Sequence, residues 1–389
     1  MKNPLNSAFS KKRLFFALFI CLSVSGFLLY SSISKDRYTE AKENSTHEWV
    51  DYNNNNRVDY NNPKEFVLKK NGGFIKEPIT SVLKKINWDE HSFFWLLAAV
   101  CFMFCRDLFY VIRIKFLTKN KLTWKASVFV IALWEFASAL TPGVIGGSAV
   151  AMFILNRESI PIGKATSIVI ITAFMDNLFF LFLVPCVFFF IGGSVLFPES
   201  SDLHSFFSWY FWCGFCLIFT VCFLLYLTLF WAPKLATKIL LFIFSFPFIK
   251  RWKIVAVNLG GDIERSAKEF QKERFTFWLK IFGFTFCSWT SRYLVINCIM
   301  NAFLTLSFND NVVVLGKQLV LWVLMIASPT PGGSGFAELG FAELLSDFTS
   351  STLLLASLAF LWRMISYFPY LFVGSVVLPY WVNRTSNKA

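Results

Sequence analysis

Two short stretches carry residue types that could hold a ligand. Thr141, Pro142 and Gly143 stand with Gly146 and Gly147 in TPGVIGG, and Thr330, Pro331 and Gly332 stand with Gly333 and Gly335 in TPGGSG. Each lies in a long apolar segment, where Pro removes a backbone donor and paired Gly weakens a helix, so each predicts a helix broken at membrane depth. The helix that restarts after such a break begins with amide groups lacking intrahelical partners, and such ends attract anions. Gly sets no Cβ in the way of a bulky headgroup, so a phosphate is the natural guest. Glu338 falls at the start of the second restarted helix, where a carboxylate complements the dipole. A tight turn packed against its neighbours would use the same residues.

Ionisable side chains inside apolar segments form the second candidate set: Glu135, Asp176, Arg292 and Arg363. Each costs about 2.5–3.5 kcal/mol at a bilayer centre, so each should face a partner or a cavity. Asp176 follows Pro142 at nearly the same interval as Arg363 follows Pro331, which predicts an ion pair joining two halves of the chain. Arg106 and Asp107 lie nearer a segment end and read as a local pair or a headgroup contact. Glu343 reads as capping or packing.

The elements that must position these residues are membrane helices. Over its 389 residues the chain is 56% apolar, with 49 Phe that read as lipid contact or bundle packing. Several of its apolar runs are long enough to cross a bilayer. A formal charge of +13 gathers in loops beside those runs. That is the pattern of cytoplasmic loops and anionic headgroup contacts rather than of nucleic-acid binding. The nine Cys fall in or beside apolar runs and imply no disulfide framework. The CxxC at Cys213 and Cys216 has no partner pair, and the three His are scattered, so neither metal nor any other cofactor is expected.

Read in order, the chain opens with an uncleaved membrane helix, 14–33, behind Lys11, Lys12 and Arg13. Residues 34–90 read as a polar extracytoplasmic loop, with disorder or poor packing suggested by the Asn run at 53–56. A membrane domain follows over 91–382. Its first span, 92–112, gives way to a basic cytoplasmic loop that begins at Arg113. The two halves of the domain, 92–191 and 275–382, are joined by a span at 207–232 and a basic cytoplasmic segment, 233–274, that holds an amphipathic interfacial helix. The remainder, 383–389, is a cytoplasmic tail. Each half runs span, hairpin with a TPG tip, span, the hairpins being 126–156 and 312–346. The expected fold is therefore an all-α polytopic membrane protein of about six spans and two re-entrant hairpins in inverted repeat, with both termini in the cytoplasm.

The two TPG elements, together with AFMDNLFFLFLVP after the first and PTPGGSGFAE and LWRMISYFPYLFVG in the second half, resemble the lysylphosphatidylglycerol synthase transmembrane-region family of flippase-like proteins. The resemblance covers about 92–382. It implies translocation of a lipid, with the tips as the binding region, in a cell membrane. Members that also transfer an aminoacyl group carry a soluble domain for which this sequence leaves no room, so lysyl transfer is not expected. The leading reading is a non-enzymatic transporter of an anionic or zwitterionic lipid or a lipid-linked intermediate. Its alternatives are an intramembrane transferase using Glu338 or Asp176 as base, and a non-transporting partner of a lipid synthase or glycosyltransferase. Oligomeric state is not legible.

Overall fold

The structure, a computed structural model, describes residues 38–40, 45–52, 58, 63–76, 88–141, 143–197, 201–243, 253–326, 330, 332–333, 336–349 and 352–386. The expected first helix, 14–33, and the Asn run lie outside them. Between 34 and 90 the sequence reads as loop, yet four short strands form a sheet there. They are β1 (Tyr38–Glu40), β2 (His47–Trp49), β3 (Phe66–Leu68) and β4 (Gly73–Lys76), all antiparallel pairings in the order β1-β4-β2-β3. Strands this short show no period. Side chains fix them instead: Tyr38 stacks on Phe66 at 4.1 Å, and the Trp49 indole donates to the buried Glu65 at 3.1 Å.

The rest is helical. Helix α1 (Glu90–Leu117) starts at Asp89, whose carboxylate accepts from the Ser92 amide at 2.8 Å. That capping bond holds the Asp89 carboxyl below its usual range. Then come α2 (Trp124–Leu140), α3 (Gly143–Arg157) and α4 (Ile162–Ile191). The connecting region contains α5 (Gly193–Leu196), α6 (Ser201–Tyr226), α7 (Lys234–Ile243) and α8 (Lys253–Gln271). The second half holds α9 (Phe275–Phe303), α10 (Phe308–Ile326), α11 (Phe336–Leu344), α12 (Thr352–Ser366) and α13 (Phe368–Ser386).

Five stretches among the described residues are long and apolar enough to cross a membrane: α1, α4, Phe207–Trp231, α10 and Leu354–Thr385. Exposed Phe93, Phe94, Phe104, Phe189, Phe190 and Phe372 give them an apolar exterior suited to lipid. Two expectations shift. Helix α9 falls outside the five because Lys280, Arg292 and a run of Ser, Thr and Asn lower its apolarity, whereas α10, read as a hairpin arm, qualifies at 19 residues. Helix α3 has 15 residues and α11 has 9. At the rise of an α-helix they are roughly 22 Å and roughly 14 Å long, both short of a hydrocarbon core of about 30 Å.

Helices α1 and α9, which open the two halves, pack along their lengths and run antiparallel. Ser92 near the start of α1 donates to the Ala302 carbonyl near the end of α9 at 2.7 Å. Further along, Ser288 donates to the Arg106 carbonyl at 3.0 Å, Arg113 to Thr285 Oγ1 at 2.9 Å, and Phe116 stacks on Phe277 at 5.1 Å. Equivalent helices meeting head to tail are what an inverted repeat requires. Small hydroxyl residues at the seam bond to backbone carbonyls and to the Arg113 guanidinium.

The expected amphipathic helix of the basic segment forms as α8, with its Glu264–Lys268 pair at 2.8 Å. Its apolar face is not laid against lipid, however: Ile263, Ala267 and Phe270 are buried, and α8 packs on α4 where Gly163 lets Asp262 approach. The final span, expected unbroken over 352–382, is interrupted at Tyr367 between α12 and α13.

Candidate functional site

A cavity of about 170 Å³ lies between the halves, and both tips reach it. From α2 come Glu135, Ser138 and Ala139, with Thr141 just beyond; from the second hairpin come Trp322, Met325, Gly332 and Gly333. Helix α9 supplies Arg292, and the α12–α13 break supplies Trp362, Arg363, Tyr367 and Tyr370. The space is enough for about ten waters or a small headgroup.

The helix breaks make this opening. Thr141 ends α2 in extended backbone with its hydroxyl donating to the Ala137 carbonyl at 2.8 Å, and α3 restarts at Gly143. At the second tip Gly332 and Gly333 adopt φ of 59° and 69°. That left-handed turn is one a side chain would strain. The Gly333 amide donates to the Thr330 carbonyl at 3.1 Å and the Ala337 amide to the Gly333 carbonyl at 2.9 Å. These two amides, expected to face an anion, are already used. Nor do the glycines leave the expected space. A Cβ on Gly332 would run into the Tyr367 ring, and one on Gly147, buried away from the cavity, into Ser138 Oγ. These two are packing glycines; a Cβ on Gly333 would come within 2.9 Å of the flexible Met325 terminus. Gly143 and Gly146 lie in the first turns of α3, while Pro142, Pro331 and Gly335 fall outside the described residues.

The charges are arranged differently from expectation. Asp176 does not pair with Arg363. Its carboxylate accepts from Arg113 at 2.5 Å and from the Trp289 indole at 3.0 Å, while the Arg363 Nε donates to Glu338 at 2.9 Å and its Nη1 to the Gly332 carbonyl at 3.0 Å. Asp176 and Arg363 thus each find a partner within their own half of the chain. Arg106, expected near an interface, is 1% exposed and binds Asp107 and Glu135, each at 2.8 Å, and the Tyr370 hydroxyl. Tyr110 lies between two guanidinium groups, 4.8 Å from Arg106 and 4.5 Å from Arg113.

Sequence reasoning missed Arg113, which a helix ending near 112 leaves as a loop cation, and Lys317, which is 1% exposed and paired with Asp347. A helix extended by one further turn places Arg113 inside the bundle. Tyr367 and Tyr370 give no signal among so many aromatics. Glu338 and Asp176, which a transferase would need as bases, are each held in an ion pair and neither lines the cavity.

Two cationic groups stand out. The Arg363 Nη2 atom is buried without a hydrogen-bond partner among the described residues. Arg292 makes no ion pair among them and lies over the Trp289 ring at 5.4 Å. Such a placement over an aromatic face is a cation–π contact. Both arginines line one cavity; Glu338 meets the charge of Arg363, whereas no carboxylate among the described residues pairs with Arg292.

Residues 74–374 match the family described as the lysylphosphatidylglycerol synthase TM region. The chain is also 24% identical over 326 residues to a UPF0104 membrane protein of Archaeoglobus fulgidus, covering 77% of this chain and 89% of that protein. No solved structure matches. With most of its membrane domain inside the matched region, this chain belongs to the lysylphosphatidylglycerol synthase TM region family.

Proposed function

We propose that the protein carries a phospholipid, or a lipid-linked intermediate, between membrane leaflets by seating its headgroup in the cavity between the halves. The observation that carries this reading is Arg292, a cation with no ion pair among the described residues, lining a cavity reached from both broken hairpins. Guanidinium groups hold phosphate through charge-assisted hydrogen bonds, and broken helices at a repeat interface are where membrane transporters place their sites. On this reading the two hairpins are re-entrant from opposite sides, both termini are cytoplasmic, and the protein transports without covalent change.

The test is leaflet exchange of fluorescent phospholipids in liposomes containing the purified protein, with lipid masses measured in parallel. Exchange with unchanged masses is expected, and Arg292→Gln should slow it at least tenfold, about 1.4 kcal/mol in the transition state. Thermal stability should hold, because Arg292 has no ion pair among the described residues to lose. Exchange no faster than in protein-free liposomes would overturn the proposal, and altered lipid mass would point to a transferase.

A further inference from the structure

Charge around the cavity is unevenly assigned, and the imbalance has two signs. On one side a single guanidinium, Arg106, serves two carboxylates, Asp107 Oδ1 and Glu135 Oε2, each at 2.8 Å. One negative charge is in excess there, and the structure shows where it is presented. Asp107 also accepts from the Tyr370 hydroxyl at 2.7 Å, whereas Glu135 lines the cavity and its Oε1 has no hydrogen-bond partner among the described residues. On the other side Arg292 is one positive charge in excess, while the charge of Arg363 is met by Glu338. The remaining buried pair nearby, Arg113 with Asp176, is balanced.

A purely anionic ligand would answer Arg292 and leave the Glu135 carboxylate uncompensated in a low-dielectric site, where an unmet charge is costly. A purely cationic one would do the reverse. We infer that the cavity binds a zwitterionic headgroup, a phosphodiester bearing a primary ammonium, with phosphate toward Arg292 and ammonium toward Glu135. Specificity then comes from penalising the mismatched charge as much as from rewarding the matched one. This inference rests on the cavity being the headgroup site, as proposed above, but concerns binding rather than movement.

Binding is measured on the full chain in neutral detergent by calorimetry, with dioctanoyl phosphatidylethanolamine, its N-acetylated form, dioctanoyl phosphatidylglycerol and free phosphoethanolamine as probes. The unmodified phosphatidylethanolamine should bind at least tenfold more tightly than the N-acetylated form, which keeps the phosphate and loses the ammonium, and than phosphatidylglycerol, which never had one. Glu135→Gln should bring the unmodified and N-acetylated lipids within twofold of each other, and Arg292→Gln should weaken both by a similar factor. Equal binding of these two lipids to the native protein overturns the inference without reliance on any variant, and so does equal weakening of both by Glu135→Gln. Free phosphoethanolamine binding as tightly as the lipid would keep the zwitterion chemistry but overturn a lipid source. Tight, ammonium-dependent binding with no leaflet exchange would sustain this inference and remove the transport proposal; exchange indifferent to the ammonium would do the opposite.

Discussion

Separating Arg363 from Glu338 tests which charges hold the second half together. Both side chains are almost wholly enclosed, at 4% and 2% exposure, and Nε meets the carboxylate at 2.9 Å. Removing one partner of such a buried pair strands the other, at a cost of about 3–5 kcal/mol. With an unfolding entropy of roughly 2.1 cal/mol/K per residue summed over the chain, that loss lowers Tm by about 4–6 °C. Glu338→Leu and Arg363→Met should each show this drop in thermal unfolding of the detergent-solubilised protein, while the double variant recovers most of it. The same cycle on Arg113 and Asp176 should show coupling as well. Changes at Asp176 and Arg363 should instead be additive to within about 0.5 kcal/mol, the expectation for sites that share no partner. Their partners are different residues on different helices. Coupling between Asp176 and Arg363, with none between Glu338 and Arg363, would refute the assignment of charges to halves.

Three further outcomes are expected. Gly332→Ala should lower Tm more than Gly333→Ala, since both positions have positive φ but only the former drives a Cβ into the Tyr367 ring; equal shifts would show that this packing does not matter. Gly147→Ala should cost about 1–3 kcal/mol by overpacking the seam between α2 and α3. Adding Ser138→Gly should restore much of that loss because Ser138 holds the contacted atoms, and an unrescued loss would place the strain elsewhere. In a background stripped of native cysteines, a cysteine at Ser200 should label with an impermeant reagent from outside while one at Ser159 is protected, and labelling of both from the same side would end the inverted-repeat reading.

The all-α membrane architecture was legible from the long apolar runs, and the expectation of an inverted arrangement came from Pro142 and Pro331, which interrupt such runs at matching places. The antiparallel packing of α1 on α9 fits it through contacts such as Ser92 on Ala302. Glu135, Arg292 and Arg363 could be picked out singly, since charge in an apolar run is rare, and the cavity brings all three together. Their partners were not legible. Pairing depends on which helix faces which, and spacing along the chain suggested Asp176 for Arg363 when the neighbouring helix already offered Glu338. The sheet between β1 and β4 was hidden for another reason: such short strands in a polar, Asn-rich stretch carry too little pattern to separate from loop.

That several buried ion pairs form within a single half bears on how the chain is made. Arg106 with Glu135 and Arg113 with Asp176 are complete once α4 has been synthesised, and Glu338 with Arg363 and Lys317 with Asp347 close later within the second half. A pair between Asp176 and Arg363 would instead leave a carboxylate bare in the bilayer while about 190 more residues are translated, roughly 10–40 s at about 5–20 residues per second. Local pairing removes that exposed interval, and the ion pair of Glu158 with Arg384 is left to join the first hairpin to the last helix when the C-terminus arrives. Ribosome-bound chains halted before residue 275 should therefore already hold an inserted, protease-resistant first half, with the union of α1 and α9 waiting on the second.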